Sequence, residues 1–163
     1  MRQAAVGHVA SPVATAEPSA HDERPSRRQA QLPAGVTQAS IHVQDLRLRT
    51  FIGFNPEERE KQQDIVINIE IRYAVNEAAL DDEVEEALNY KTITKAVIRH
   101  VEDGRFLLLE KLVADVLSIC TRHPSVKQAR VSIDKPHALR FADSVALTLN
   151  YRRPHDTDKG ETQ

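Results

Sequence analysis

The sequence predicts an α+β domain in the order ββααββ, with a four-stranded antiparallel sheet and two helices on one face. Four segments place apolar residues at every second position, as strands with one buried face do. Two segments between them place apolar residues at three- and four-residue spacing, which is typical of amphipathic helices. Because the strands are grouped in pairs with both helices between the pairs, we expect an antiparallel sheet.

The first strand, in residues 40–53, changes phase along its length. Apolar residues occupy odd positions up to Val43 and even positions from Leu46, and a bulge or bend near Gln44–Asp45 accounts for the slip. In the second strand, 64–73, every odd-numbered residue is isoleucine except the last, Tyr73. Mainly polar residues lie between them, so one face of this strand is wet. The charged segment 54–62 is predicted to be a loop.

Two helices and two further strands complete the order. Residues 90–104 show apolar positions at helical spacing and end on Gly104, a common helix stop. Residues 105–124 carry a broader apolar stripe at the same spacing. Alternation then returns in 127–134 and 144–151, which we interpret as the last two strands.

Composition divides the 163 residues into one core and two ends. All seven aromatic residues lie between Phe51 and Tyr151, whereas residues 1–38 hold four of the eight prolines and no aromatic side chain. Such ends lack the large apolar side chains that offset the entropy of ordering a backbone. We therefore expect a disordered N-terminal extension at 1–38, one domain at 39–153 and a disordered tail at 154–163.

Several classes of protein and site are excluded. No apolar run approaches the about 20 residues of a membrane span, and the N-terminal segment lacks the apolar stretch of a secretory signal. We therefore expect a cytoplasmic protein without membrane contact. The single cysteine, Cys120, rules out an intrachain disulfide, and no His or Cys spacing indicates a metal site. A formal charge of −2 gives no reason to expect nucleic acid as a partner.

Four polar residues stand out from this pattern. Lys135 follows a predicted strand, Glu110 lies among leucines at the start of the second helix, and Tyr90 begins the first helix. Glu58 is one of three glutamates in the first loop. Each has an ordinary explanation when taken singly: a solvated charge, the edge of an exposed helix face, or a ring packed at a helix start.

Four stretches carry a wider likeness: LRLRTFIG at 46–53, QDIVINIEIRY at 63–73, ALNYKTITKAVIRHVEDGRFLLLEKL at 87–112 and IDKPHALRFADSVALTLNYRR at 133–153. In them the chain resembles the dihydroneopterin aldolase family, and most closely a branch that epimerises a dihydropterin triphosphate. The likeness runs in order through nearly the whole core and leaves out the first 38 residues.

The resemblance implies a fold, an assembly and a kind of chemistry. The fold is the tunnelling fold, in which four ββααββ subunits join their sheets into a ring and two rings stack as a homo-octamer. Active sites then lie between adjacent subunits, and the wet sheet face lines a central tunnel. No cofactor is expected, because the pterin ring serves as its own electron sink. The implied partners are a small pterin substrate and further copies of this chain.

The resemblance also implies a role for each of the four polar residues. Lys135 is the general base acting on a side-chain hydroxyl, and Tyr90, supplied by a neighbouring subunit, relays a proton. Glu110 accepts hydrogen bonds from the 2-amino group and the adjacent ring N–H of the pterin. Glu58 orients the substrate or assists proton transfer, with Glu57 as the alternative.

Two reactions are compatible with these residues, and both begin with retro-aldol cleavage of the C1'–C2' bond. An epimerase rejoins the bond with C2' inverted, which converts 7,8-dihydroneopterin triphosphate to 7,8-dihydromonapterin triphosphate. An aldolase releases glycolaldehyde and 6-hydroxymethyl-7,8-dihydropterin, a step in folate biosynthesis. We expect the epimerase. A triphosphate requires cations, and the candidates are Arg47, Arg49, Lys91 and Arg140.

Two other classes remain as alternatives. A non-catalytic pterin-binding or scaffold subunit could keep the fold, but the joint presence of Tyr90, Glu110 and Lys135 argues against it. A zinc-dependent cyclohydrolase of the same fold is disfavoured, because Cys120 has no partner ligands in the sequence and lies on an apolar helical stripe.

Overall fold

The computed structural model describes residues 35–75, 77–80 and 82–154. Its strands are β1 (Gln38–Ile52), β2 (Gln63–Ala74), β3 (Arg105–Phe106), β4 (Val126–Pro136) and β5 (Ser144–Arg152). Its helices are α1 (Pro56–Glu60), α2 (Glu77–Leu80), α3 (Tyr90–Glu102) and α4 (Leu109–Cys120), with a single 3₁₀ turn at Val84–Glu86 between α2 and α3. The predicted extension before residue 35 and the predicted tail after residue 154 lie outside the described residues.

The sheet confirms the predicted fold class. Strands β1, β2, β4 and β5 pair in that order, and every pairing among them is antiparallel. The structure adds β3, a two-residue strand that pairs in parallel with the end of β1. Two residues are too few to show an alternating pattern, so this strand could not be predicted from the sequence.

The segment between β1 and β2 departs from the prediction, because it contains α1 where a loop was expected. Pro56 begins the helix and fixes a backbone angle that suits its first turn. The Glu58 carboxylate accepts a hydrogen bond from the Asn55 backbone N–H at 3.1 Å and so closes the start of the helix. A helix of five residues is shorter than the window in which helical periodicity can be recognised.

The predicted bulge in β1 is confirmed. Val43 pairs with Ile69 and Leu46 pairs with Ile67, so the register shifts between them. Asp45 takes a positive φ of 52° at this point, and its backbone N–H donates to the Asn68 Oδ1 at 2.9 Å. The extra residue returns the apolar side chains on both sides of the bulge to the same face of the sheet.

Both long helices cover that one face. Helix α3 packs on β1 and on α4, and α4 packs on β4 and β5. The core between them consists of fully buried aliphatic side chains, chiefly Ile65, Ile67 and Ile71 of β2, Val131 and Ile133 of β4, Val97 and Val101 of α3, and Leu112, Val113 and Val116 of α4. Cys120 belongs to this core, and burial raises the pKa of its thiol to about 12.

The opposite face of the sheet is polar, as the alternation in β2 predicted. Arg72 and Glu70 form an ion pair there at 2.7 Å, beside the half-buried Asn68. No described helix is long and apolar enough to cross a membrane.

Candidate active site

The end of β1 brings two of the predicted residues together. Lys135, the last residue but one of β4, places its Nζ 2.5 Å from Glu58 Oε1 and donates a second hydrogen bond to the Ile52 carbonyl at 3.1 Å. The Lys135 side chain is 11% exposed and that of Glu58 is 24% exposed. An ammonium and a carboxylate therefore meet in a largely desolvated position, 77 residues apart in the chain.

Strand phase explains why Lys135 points to this position. Its neighbour two residues earlier, Ile133, is fully buried against the helices, and successive odd positions of a strand share a face. Lys135 continues that row one step beyond the core, opposite Val145. Its aliphatic stem can therefore pack on the core while its amine reaches the end of β1.

Gly53 makes room for the partner carboxylate. It follows β1 with a φ of +130°, a conformation that side chains rarely adopt, and a Cβ at this position would overlap the Glu58 carboxylate. Its backbone N–H is held by the Phe106 carbonyl at 2.9 Å. The glycine thus both turns the chain out of the sheet and lets α1 lay Glu58 over the strand end.

Lys135 determines the charge state of Glu58. The hydrogen bond from Lys135 lowers the pKa of Glu58 below its ordinary value, so Glu58 is a carboxylate at neutral pH. Lys135 donates one hydrogen bond to Glu58 and one to the Ile52 carbonyl, which leaves one further hydrogen-bonding position on its nitrogen.

Gln63 completes this cluster, although the sequence did not single it out. It is the first residue of β2, and its side-chain Nε2 donates to the same Ile52 carbonyl that accepts from Lys135. One backbone oxygen therefore orients both side chains. A single glutamine beside a predicted strand matches no motif, so its sequence position carried no signal.

The other two predicted site residues lie elsewhere in the chain. Glu110 is exposed at the second position of α4. Tyr90 begins α3 after the Asn89 cap and is 49% exposed, so its ring is not buried as a packed helix-start residue would be. Within the described part of the chain, no hydrogen bond joins either of them to the ion pair. Glu57, the alternative to Glu58, is exposed on α1.

The four predicted phosphate-binding cations lie on three different elements. Arg49 is already engaged with Asp64 at 3.2 Å and with the Gln62 carbonyl at 3.0 Å, and Arg47 lies on the same face of β1. Lys91 is exposed next to Tyr90, and Arg140 stacks on the exposed Phe141 ring in the loop before β5. These four assignments stay predictions.

A cavity of about 440 Å³ opens beside the ion pair. It is lined by Phe51, Gly53, Pro56, Glu58, Arg59, Glu60, Arg105, Phe106 and Leu107. One wall is thus apolar and the rest is charged, a composition suited to a small polar ligand. Across the described ranges, no three His, Cys, Asp or Glu side chains are grouped so as to hold a metal ion.

Replacing Gly53 by alanine is expected to lower kcat and stability together. The new methyl group forces the Glu58 carboxylate away from Lys135, and the positive φ adds strain of about 1–3 kcal/mol. Turnover and the thermal unfolding midpoint of Gly53→Ala measure the two effects.

Gly35→Ala is the matched control, because Gly35 also has a positive φ, +100°, but a Cβ there meets nothing within 4 Å. It should leave kcat unchanged. Equal kcat in wild type and Gly53→Ala would show that the position of Glu58 does not matter for turnover.

The chain is similar in sequence to proteins of one family. The sequence pattern of the dihydroneopterin aldolase family matches residues 41–150. The chain is 53% identical over 111 residues to a dihydroneopterin triphosphate 2'-epimerase of Pseudomonas aeruginosa, a match that covers 68% of this chain and 90% of that protein. It is also 53% identical over 115 residues to the protein of the same name from Escherichia coli, covering 71% and 96%.

Aldolases are more distant in sequence. Escherichia coli dihydroneopterin aldolase is 28% identical over 109 residues, covering 67% of this chain and 89% of the aldolase. A crystal structure of the Escherichia coli aldolase in complex with neopterin superimposes with a TM-score of 0.65 at 27% identity, over 69% of this chain and 98% of that one.

Proposed function

The chain belongs to the dihydroneopterin aldolase family, and we propose that it is an epimerase that inverts C2' of 7,8-dihydroneopterin triphosphate to give 7,8-dihydromonapterin triphosphate. The relatives named as epimerases are far more similar to it than the relative named as an aldolase. The family was predicted from the sequence and is confirmed. The observation that carries the mechanism is the ion pair of Lys135 and Glu58 at the end of β1.

The chemistry requires a proton to leave and return. Removing the proton from the C2' hydroxyl lets the C1'–C2' bond break, with its electron pair passing into the pterin ring and C2' becoming an aldehyde. When the aldehyde presents its other face, C1' attacks again and the proton returns to the oxygen. The hydroxyl proton passes to Lys135 Nζ as a Lys135 N–H proton passes to the Glu58 carboxylate 2.5 Å away, and both transfers reverse when the bond re-forms.

Glu110 and Tyr90 supply recognition and relay. Two adjacent N–H donors on the pterin match the two oxygens of the Glu110 carboxylate. A tyrosine hydroxyl can pass a proton to C1' or to the aldehyde oxygen. Both side chains are exposed in the single chain, which is what a site completed by another subunit requires.

A homo-octamer of two stacked tetrameric rings accounts for these exposed residues. Several large apolar side chains are also exposed near the site or in the loop after β4, among them Phe54, Leu107, Leu108, Leu139 and Phe141. Such groups are commonly buried by assembly. Light scattering coupled to size exclusion would test the octamer, and a monomer at micromolar concentration would contradict it. A cytoplasmic location stays a prediction.

Aldolase activity is the second candidate, because it uses the same first cleavage. It differs only in that the aldehyde leaves and the pterin fragment is protonated. The structural likeness to an aldolase that holds neopterin favours some activity of this kind.

One product assay separates the candidates. The purified protein is incubated with 7,8-dihydroneopterin or with its triphosphate, and neopterin, monapterin and hydroxymethylpterin are resolved after oxidation. With the phosphorylated substrate we expect monapterin triphosphate to form in larger amount than hydroxymethylpterin. Predominant hydroxymethylpterin would make the protein an aldolase, and turnover of neither substrate would leave it a binding or scaffold subunit.

A further inference from the structure

Two arginines that the sequence did not single out border the cavity next to the ion pair. Arg105, in β3, places its guanidinium 3.8 Å from the centroid of the Phe51 ring and donates to the Arg59 carbonyl at 3.3 Å. Arg59 itself lies on α1, one residue after Glu58. Both arginine side chains are exposed and both line the cavity of about 440 Å³ that also contains Glu58.

The end of β1 arranges these groups in sequence. Arg105 stacks over Phe51, Lys135 binds the carbonyl of Ile52, and Glu58 lies over Gly53. An extended chain rises about 3.3–3.4 Å per residue. Phe51, on which Arg105 stacks, is therefore roughly 7 Å along the chain from Gly53, which lies against Glu58. The reacting C2' must approach the ion pair, and the phosphate chain begins on the next carbon, C3'.

The charges of the cavity favour an anion at its arginine end. Glu58 forms its ion pair with Lys135, so it does not pair with either arginine. Within the described part of the chain, neither Arg59 nor Arg105 has an ion-pair partner, whereas Arg49 is paired with Asp64. Glu60 also lines the cavity. Among the described residues it has no cationic partner, so its negative charge is the one in the cavity that would repel an anion. The planar guanidinium group binds phosphate oxygens in pairs.

We propose that Arg105 and Arg59 form the subsite for the phosphate chain of the substrate and so determine the preference for the triphosphate over free dihydroneopterin. This proposal rests on the proposed function, since it assigns a part of the same site. Arg105 is the stronger contributor, because the Phe51 ring and the Arg59 carbonyl hold its guanidinium in place.

Steady-state kinetics with both substrates tests the proposal. Arg105→Ala should raise KM for the triphosphate about 10- to 100-fold, because it removes charged hydrogen bonds, and should leave KM for free dihydroneopterin unchanged. Arg105→Lys should recover part of the loss, and Arg59→Glu should raise the triphosphate KM without touching the β3 stack. Arg122→Ala, an exposed arginine after α4, is the matched control.

Inorganic tripolyphosphate separates failure of the subsite from failure of the proposed function. Calorimetry should show its binding to wild type and a weaker affinity for Arg105→Ala, whether or not the protein turns over a pterin. Unchanged tripolyphosphate affinity in both Arg105→Ala and Arg59→Glu would overturn the subsite, as would equal losses of kcat/KM for the two pterin substrates.

Discussion

Lys135→Ala is expected to lower kcat for C1'–C2' cleavage roughly 10²–10⁴-fold, the usual contribution of a positioned acid or base. The substitution removes the group that donates to Glu58 and, with it, the nitrogen through which the proposed mechanism moves the hydroxyl proton. Pterin affinity should change little, because the expected pterin anchor is Glu110. Single-turnover kinetics gives the rate of the chemical step, and a fluorescence titration with neopterin gives the dissociation constant.

Two further variants make this result specific to the ion pair. Lys127→Ala removes an exposed lysine from the same strand and should leave kcat unchanged. The double variant Lys135→Ala/Glu58→Ala should have a kcat scarcely lower than that of Lys135→Ala, because removing one member of a pair that acts as a unit already abolishes the effect of the other. Near-normal turnover by Lys135→Ala would mean that another group moves the proton.

Glu110→Ala is expected to raise the dissociation constant for neopterin by about 10²-fold or more. Each charged hydrogen bond to the pterin contributes about 1.5–3 kcal/mol when water is excluded, and alanine removes two of them. In the single chain the carboxylate is exposed, where such bonds are weakened by solvent. The full loss should therefore be seen only in the assembled protein.

The conservative variant Glu110→Gln distinguishes anchoring from catalysis. It keeps one acceptor but presents an amide N–H₂ to a donor of the pterin, so it should also bind weakly. Glu102→Ala, which removes an exposed carboxylate at the end of α3, is the control and should bind neopterin normally. An unchanged dissociation constant with a lowered kcat in Glu110→Ala would make Glu110 a residue of the chemical step.

Local periodicity accounts for how much of the fold could be predicted. A strand with one buried face must alternate and an amphipathic helix must repeat every three to four residues, so β1, β2, β4, β5, α3 and α4 are all visible in the sequence. The bulge is also visible in the sequence, because the apolar pattern changes phase after Val43 and such a change has few other physical causes. The short β3 and α1 contain too few residues to show any period.

Sequence patterns alone predict the fold class, the wet and buried faces of the sheet and, through resemblance, the family and the candidate site residues. Which of these residues meet follows from the fold. Lys135 and Glu58 are 77 residues apart, and their contact depends on the phase of β4, the turn at Gly53 and the five-residue α1. It also revealed Gln63, Arg59 and Arg105 around the same strand end. Patterns along a chain record local geometry, whereas a site is made by contacts between distant residues, which only the folded backbone brings together.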